Sequence, residues 1–221
     1  AETARRTFNP LLGVEGGLSV LGTSGIVEPM SQQAIVDTIE VEARQARQSG
    51  ARLILTPGNY GADFLAAQGL DGLGVPVVRC SNFIGDALDI AAAQRFEQVL
   101  LAGHIGKLVK VAGGIMNTHS RQADCRTELF CAHAAVAGAS TALCRRLLDA
   151  ATTDACIPLL DAEGLRDPVL SSLTAAIQTH LERRAAGAFA VGALLFSNQY
   201  GLLGLSPQAR TLIDQWRHTH A

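Results

Sequence analysis

The turn from Gly22 to Gly25, with Glu28 three residues later, has the residue types and spacing best suited to chemistry. Its sequence is Gly22-Thr23-Ser24-Gly25, it follows an apolar run over residues 17–22, and a helix capped by Ser31 comes next. Glycine lets the backbone approach a ligand closely, and a helix N-terminus supplies free N–H groups. The pattern predicts a small-molecule pocket with Glu28 as its acid, although the helix dipole alone also favours an acid at that position.

Three further turns combine glycine, hydroxyl and amide groups where predicted strands end. They are residues 56–61 with Gly58 and Asn59, the tripeptide Cys80-Ser81-Asn82, and residues 103–107 with His104 and Lys107. Ligands of open parallel sheets bind outside the carboxyl ends of the strands, so we expect the four turns to border one pocket. Because the turns carry little charge, they favour an uncharged or zwitterionic small molecule over a multiply charged phosphate.

The elements that must position these turns alternate between strand and helix. Predicted strands cover residues 17–22, 51–55, 75–79 and 98–102, and a helix follows each of them. Parallel strands need such crossovers, so the pattern predicts an α/β fold: a parallel, Rossmann-like sheet of about four strands with helices on both faces. A helical elaboration is expected over about residues 115–186. A C-terminal hairpin (188–196 and 202–205) and a helix starting at Ser206-Pro207 complete a single domain, 1–221.

Composition argues against several classes of partner. The formal net charge is -2, and no basic stripe is present to bind nucleic acid. The apolar stretch 185–196 is too short to span a bilayer, and no export segment is found, so we expect a cytoplasmic protein without membrane contact. Five cysteines and six histidines lack metal-ligand spacing, which predicts reduced thiols and no metal site.

Four segments of the chain resemble a known family. Residues 16–31, 56–61, 80–85 and 103–120 are similar to the CbiD family, the cobalt-precorrin-5B C1-methyltransferases of cobalamin biosynthesis. The resemblance implies that S-adenosylmethionine donates a methyl group to carbon 1 of a cobalt-containing tetrapyrrole, to give cobalt-precorrin-6A. Members of the family carry an additional N-terminal region, so the resemblance implies that this chain is the C-terminal portion and contacts that region. A homo-oligomer is compatible with the sequence.

The reaction that the resemblance implies suggests roles for the turns. In nucleotide-binding sheets an acid after the second strand holds the ribose, but here Thr56 occupies that position, so the standard donor geometry is not supported. We expect instead that the turn Gly22-Thr23-Ser24-Gly25 holds the donor, with Glu28 on its ribose or amino group. The pocket for the donor is completed by Gly58, Asn59, Ser81 and Asn82.

Proton transfer and substrate binding are assigned to residues 104–121. His104 is the first candidate for handling a proton and His119 the second, because an imidazole has a pKa near neutrality. Either histidine could instead have a purely structural or solvated role. The candidate contacts to the macrocycle and its acetate and propionate groups are Lys107, Lys110, Asn117 and Arg121.

Two other functions are compatible with the predicted fold. One is a nucleotide-dependent oxidoreductase, against which the missing Gly-x-Gly-x-x-Gly pattern argues. The other is a non-catalytic corrinoid-binding fragment. Transfer of a labelled methyl group into the macrocycle distinguishes both from a methyltransferase.

Overall fold

The computed structural model describes residues 31–58 and 60–220, which form five strands and nine α-helices. The strands are β1 (Arg52–Thr56), β2 (Val77–Arg79), β3 (Gln98–His104), β4 (Ala190–Ser197) and β5 (Gly201–Leu205). The helices are α1 (Gln32–Arg47), α2 (Tyr60–Ala67), α3 (Ile84–Ala93), α4 (Ile105–Ala112), α5 (Arg126–Val136), α6 (Thr141–Leu148), α7 (Thr153–Asp161), α8 (Arg166–Ala185) and α9 (Pro207–His220). None of these helices combines the length and the apolar character needed to cross a membrane.

The described strands form one mixed sheet in the order β2-β1-β3-β4-β5. β1 pairs in parallel with both β2 and β3, and β3 pairs in parallel with β4. β5 is antiparallel to β4. The predicted α/β class is therefore confirmed, whereas the expected four strands and Rossmann-like arrangement are not. The strand predicted over residues 17–22 lies outside the described residues.

The predicted C-terminal hairpin is confirmed, but it is part of the main sheet. β4 pairs in parallel with the full length of β3, from Gln98 opposite Ala190 to His104 opposite Phe196. The helices α4 to α8 thus form one long crossover between two neighbouring strands. Sequence periodicity could not reveal this pairing, because a contact across some ninety residues leaves no local pattern.

Apolar side chains fill a layer on each face of the sheet, as expected for a doubly covered sheet. On one face, Leu53 and Leu55 of β1 pack in a core formed with α1, α3, α4, α5 and α8. On the other face, Ile54 packs with α2 and α9, where Trp216 is fully buried. Successive side chains of β1 therefore point into different cores, and the two cores support the sheet from both faces.

The first helix confirms the sequence prediction at its start. The Ser31 hydroxyl accepts a hydrogen bond from the Ala34 N–H at 3.1 Å, which caps α1. On the exposed face, the Arg44 guanidinium lies 2.9 Å from the Glu40 carboxylate. Helix α1 packs on α3 and β2, which places it over one end of the sheet.

The carboxyl ends of β1, β2, β3 and β4 lie at one edge of the sheet, here called the carboxyl edge. The chain leaves β1 toward β2 through α2 and returns from β2 to β3 through α3, while β1 sits between β2 and β3. A crevice opens where connections leave neighbouring strands in opposite directions. The connection from β1 leads to β2 on one side, and the connection from β3 leads to β4 on the other side. The crevice therefore lies between β1 and β3, and the candidate site is there.

Candidate functional site

A cleft of about 700 Å³ opens at the carboxyl edge. Its walls come from the turn after β1, the end of β2, the end of β3 with α4, the first turns of α5 and α7, and the end of β4. Pockets for small ligands have volumes of about 300–1,000 Å³. The cleft is therefore large enough for a ligand of nucleotide size, or for one edge of a larger macrocycle.

Gly58 brings the backbone close to the cleft. It has a φ of +107°, a conformation that side chains with a Cβ rarely adopt. A Cβ built at this position would lie 3.6 Å from the Lys107 Nζ atom. Glycine thus permits the turn and leaves the ammonium of Lys107 uncovered.

Lys107 places a half-buried cation in the cleft. Its ammonium donates a hydrogen bond to the Ser81 carbonyl at 3.2 Å, and no carboxylate among the described residues forms a salt bridge with it. Burial lowers the pKa of Lys107, an effect partly offset by Cys80. A buried ammonium without a counterion attracts an anion, so the site is suited to a carboxylate or a similar group.

The turn after β2 is held in a strained conformation. Ser81 has a φ of +53°, unusual for a residue with a side chain, and its carbonyl is the acceptor for Lys107. The Asn82 side-chain oxygen accepts from the Thr118 hydroxyl at 3.2 Å, and the Asn82 carbonyl accepts from the Thr118 N–H at 2.9 Å. Ser81 therefore borders the cleft, while Asn82 anchors the turn to the segment that follows α4.

His104 ends β3 and caps α4. Its Nδ1 accepts a hydrogen bond from the Gly106 N–H at 3.0 Å, and its Nε2 lies 3.7 Å from the Asp154 carboxylate. The ring of Phe196 meets it edge to face at a centroid distance of 5.8 Å. Burial lowers the pKa of His104, and the nearby Asp154 raises it by a smaller amount.

These pKa shifts predict that the folded state loses stability as the pH falls. Burial also lowers the pKa of His133, which hydrogen-bonds Ser172 at 2.8 Å. The unfolded chain takes up protons near pH 6.5 whereas the folded chain does so only at lower pH, so stability is full above about pH 6.5 and declines below it. The urea midpoint is expected to fall between about pH 7.5 and pH 6, and to fall less in His133→Gln. An unchanged pH dependence in that variant would contradict the assignment.

Besides Asn82, four of the predicted residues do not line the cleft. Lys110 is buried, and its ammonium donates to the carbonyls of Thr118 at 3.1 Å and Ala123 at 2.8 Å. The Asn117 side chain accepts from the His119 N–H, and the exposed His119 ring accepts from the N–H of Arg121, which is also exposed. These contacts order the loop between α4 and α5, and a functional role for the four residues stays a prediction.

Two charged residues of the cleft were missed by the sequence analysis. Asp154 lies in the first turn of α7, and Arg126 begins α5, where both nitrogens of its guanidinium fork bind Asp124. In the sequence Asp154 resembles an ordinary acid at a helix start, and Arg126 resembles an ordinary surface charge. Only the long crossover from β3 to β4 brings these helix starts to the cleft that His104 borders.

The remaining predicted residues lie outside the described part of the chain. They are Gly22, Thr23, Ser24, Gly25, Glu28 and Asn59. Their proposed contacts with a methyl donor stay predictions. Of the predicted donor and substrate residues within the described ranges, Gly58, Ser81 and Lys107 border one cleft together with His104.

Comparison with known proteins shows similarity along most of the chain. A family model described as "CbiD, C-terminal domain" matches residues 117–207, and one described as "CbiD" matches residues 1–29. A relative from Ruminiclostridium cellulolyticum, named Cobalt-precorrin-5B C(1)-methyltransferase, is 47% identical over 83% of this chain and 48% of its own length. No solved structure matches the chain significantly.

Two further relatives of the same name cover nearly the whole chain. The protein from Alkaliphilus metalliredigens is 41% identical over 96% of this chain and 56% of its own length. The protein from Moorella thermoacetica is 40% identical over 98% of this chain and 59% of its own length. The chain thus spans about half the length of the curated relatives that it matches.

Proposed function

Because the chain belongs to the CbiD family, we propose that it methylates carbon 1 of cobalt-precorrin-5B with S-adenosylmethionine, to give cobalt-precorrin-6A. The similarity to relatives named Cobalt-precorrin-5B C(1)-methyltransferase is the observation that carries this proposal. Those relatives are about twice as long as the aligned region, so their activity is stated for this chain as a proposal.

The charges in the cleft support a polycarboxylate substrate. Acetate and propionate groups surround the macrocycle of early tetrapyrroles, and Lys107 offers a half-buried ammonium without a carboxylate partner in the described residues. Charge-assisted hydrogen bonds contribute about 1.5–3 kcal/mol each. We therefore assign Lys107 to one carboxylate of the macrocycle, with His104 close by in the same cleft.

The turn around Gly58 fits S-adenosylmethionine through its backbone. A Cβ at Gly58 would fill space beside the Lys107 ammonium, so glycine keeps a cradle open for a ligand that approaches the chain closely. Gly58 and Ser81 would hold part of this donor. When bound, S-adenosylmethionine supplies an electrophilic methyl group on a sulfonium sulfur.

The chain contributes mainly by positioning the reactants. Phe196 stacks on Phe64 with ring centroids 4.1 Å apart and meets the His104 ring at its edge, so the imidazole is fixed in orientation. The cleft walls rest on two packed cores, which support the strand ends that carry the cleft residues. Accurate placement of two reactants is worth about 7–11 kcal/mol of a barrier, and no covalent intermediate with the protein is needed.

Methyl transfer is expected when this chain is mixed with cobalt-precorrin-5B and S-adenosylmethionine labelled in its methyl group. The label should enter the macrocycle, as measured by chromatography with mass detection, and the Ruminiclostridium cellulolyticum relative serves as the positive control for substrate quality. Substrate binding without label transfer would instead support the non-catalytic corrinoid-binding alternative. Substrate-dependent oxidation of a nicotinamide cofactor would support the oxidoreductase.

A further inference from the structure

The neutral His104 ring is held as a hydrogen-bond donor toward the cleft. Because its Nδ1 accepts the Gly106 N–H, the lone pair of that nitrogen is occupied and the ring proton of the neutral form sits on Nε2. Taking up a second proton would place a hydrogen on Nδ1 against the Gly106 N–H and break the cap of α4. His104 in this arrangement is poorly suited to accept a proton from a substrate.

Asp154 faces the same point from the opposite wall. Its Oδ2 atom lies 3.7 Å from the His104 Nε2, beyond hydrogen-bond distance, and its side chain is about one quarter exposed. Its Oδ1 atom is buried and has no hydrogen-bond partner in the described part of the chain. The carboxylate therefore retains unused acceptor capacity. Because Oδ2 and Nε2 are only 3.7 Å apart, one polar ligand atom beside them can lie within hydrogen-bond distance of both.

The other titratable groups around the cleft do not pair with Asp154. Lys107 donates to the Ser81 carbonyl, and two nitrogens of the Arg126 guanidinium donate to the Asp124 carboxylate. Tyr60 lies at the exposed rim of the cleft. Among the described residues that line the cleft, Asp154 is the only carboxylate. A carboxylate beside a neutral imidazole, and without a cationic partner, is free to act as a base.

We propose that Asp154, and not His104, accepts the proton that leaves the macrocycle during methylation. This inference rests on the proposed function. The sulfonium donor is a cation and its product a neutral thioether, so the methylated macrocycle gains one positive charge unless a proton departs. That proton moves to Asp154 Oδ2, its bonding electron pair stays in the macrocycle, and the Nε2–H of His104 donates a hydrogen bond to the group that loses the proton.

Replacing Asp154 tests the proposal through the single-turnover rate. In Asp154→Asn the rate of methyl transfer is expected to fall by about 100-fold or more, the usual contribution of a general base, with macrocycle affinity changed by less than about twofold. Asp154→Glu should recover part of the rate. The matched control is Asp161→Asn, at the far end of the same helix, which should keep the wild-type rate. Wild-type rates in Asp154→Asn would overturn the proposal while leaving the proposed function intact.

The tautomer of His104 provides a second test that needs no catalysis. In ¹⁵N–¹H spectra of the ligand-free chain, the ring is expected to carry its proton on Nε2, with a pKa that is lower in Asp154→Asn than in wild type because a neighbouring negative charge is lost. A proton on Nδ1 would leave Nε2 as the acceptor and overturn the proposal in favour of His104. If the wild-type chain transfers no methyl group, the proposed function fails, and the tautomer alone decides which side chain is available as a base.

Discussion

The Lys107→Met variant is expected to bind a carboxylated tetrapyrrole about 10- to 100-fold more weakly than the wild-type chain. Removing the ammonium deletes one charge-assisted hydrogen bond, worth about 1.5–3 kcal/mol, and each 1.4 kcal/mol is a factor of about ten in affinity. Methionine keeps most of the volume of the lysine stem, which is half-buried beside Gly58. The turn after β1 should therefore remain packed.

Titration calorimetry with uroporphyrin, a stable tetrapyrrole that carries acetate and propionate groups, measures this loss. The wild-type affinity should also decrease as salt is added, and the variant should be less sensitive to salt, because the missing contact is electrostatic. Equal affinities for the two proteins at low salt would remove Lys107 from substrate binding. The family assignment would not be affected by that result.

Lys110 is the matched control, one helical turn further along α4. It is 3% exposed, and its ammonium donates to two backbone carbonyls and lies 3.8 Å from the Asp124 carboxylate. In Lys110→Met those carbonyls lose their partner inside the protein, so we expect a loss of about 2–4 kcal/mol in the free energy of unfolding. Lys107→Met should thus weaken tetrapyrrole binding, whereas Lys110→Met should lower the free energy of unfolding.

Gly192→Ala is expected to destabilise the fold by about 3 kcal/mol, because β4 and α9 touch at this position. A Cβ on Gly192 would lie 2.4 Å from the Ala209 Cα and 2.5 Å from its backbone nitrogen. The Ser206 hydroxyl fixes this approach, since it accepts from the Ala193 N–H at 3.0 Å and the Ala209 N–H at 3.1 Å. The helix cannot retreat together with Ser206 without losing the Ala193 N–H bond to the Ser206 hydroxyl and the Ser206 N–H bond to the Ala193 carbonyl at 2.9 Å.

Urea unfolding of the two proteins measures this effect as a shift of the midpoint at constant slope. Gly72→Ala is the control, because a Cβ there meets no atom within 4 Å and its backbone needs no positive φ. That variant should change stability by less than about 1 kcal/mol, and a small gain is expected from the stiffer unfolded chain. If Gly192→Ala changed the stability as little as Gly72→Ala, α9 would have to pack on the sheet less closely than described.

The turns that border the cleft could be recognised from the sequence, but their relative importance could not. Gly58, Ser81, His104 and Lys107 each follow an apolar run, and parallel strands bring such turns to one edge. The sequence analysis also placed Lys110 among the substrate contacts, because its charge suits a carboxylate of the macrocycle. Residues 107 and 110 are neighbours on one helical face, and only packing decides which ammonium reaches the cleft and which supports a loop.

The place of Asp154 in the cleft could not be predicted from the sequence. It stands fifty residues after His104, at the start of a helix where an acid is expected for the helix dipole alone. Nothing local distinguishes it from the other acids of the helical segment. Its position opposite His104 depends on how α7 packs against α4.

The sequence by itself determined the alternation of strands and helices, the turns at the strand ends and the family, because these depend on local periodicity and on contiguous motifs. The tertiary structure decided that β4 joins β3, that Lys110 is buried, that the His104 Nδ1 caps α4 and that Asp154 faces its Nε2. Each of these is a contact set by packing, and the distant ones join residues separated by tens of positions. Hydrophobic burial favours many such arrangements about equally, and only close packing of side chains selects one of them.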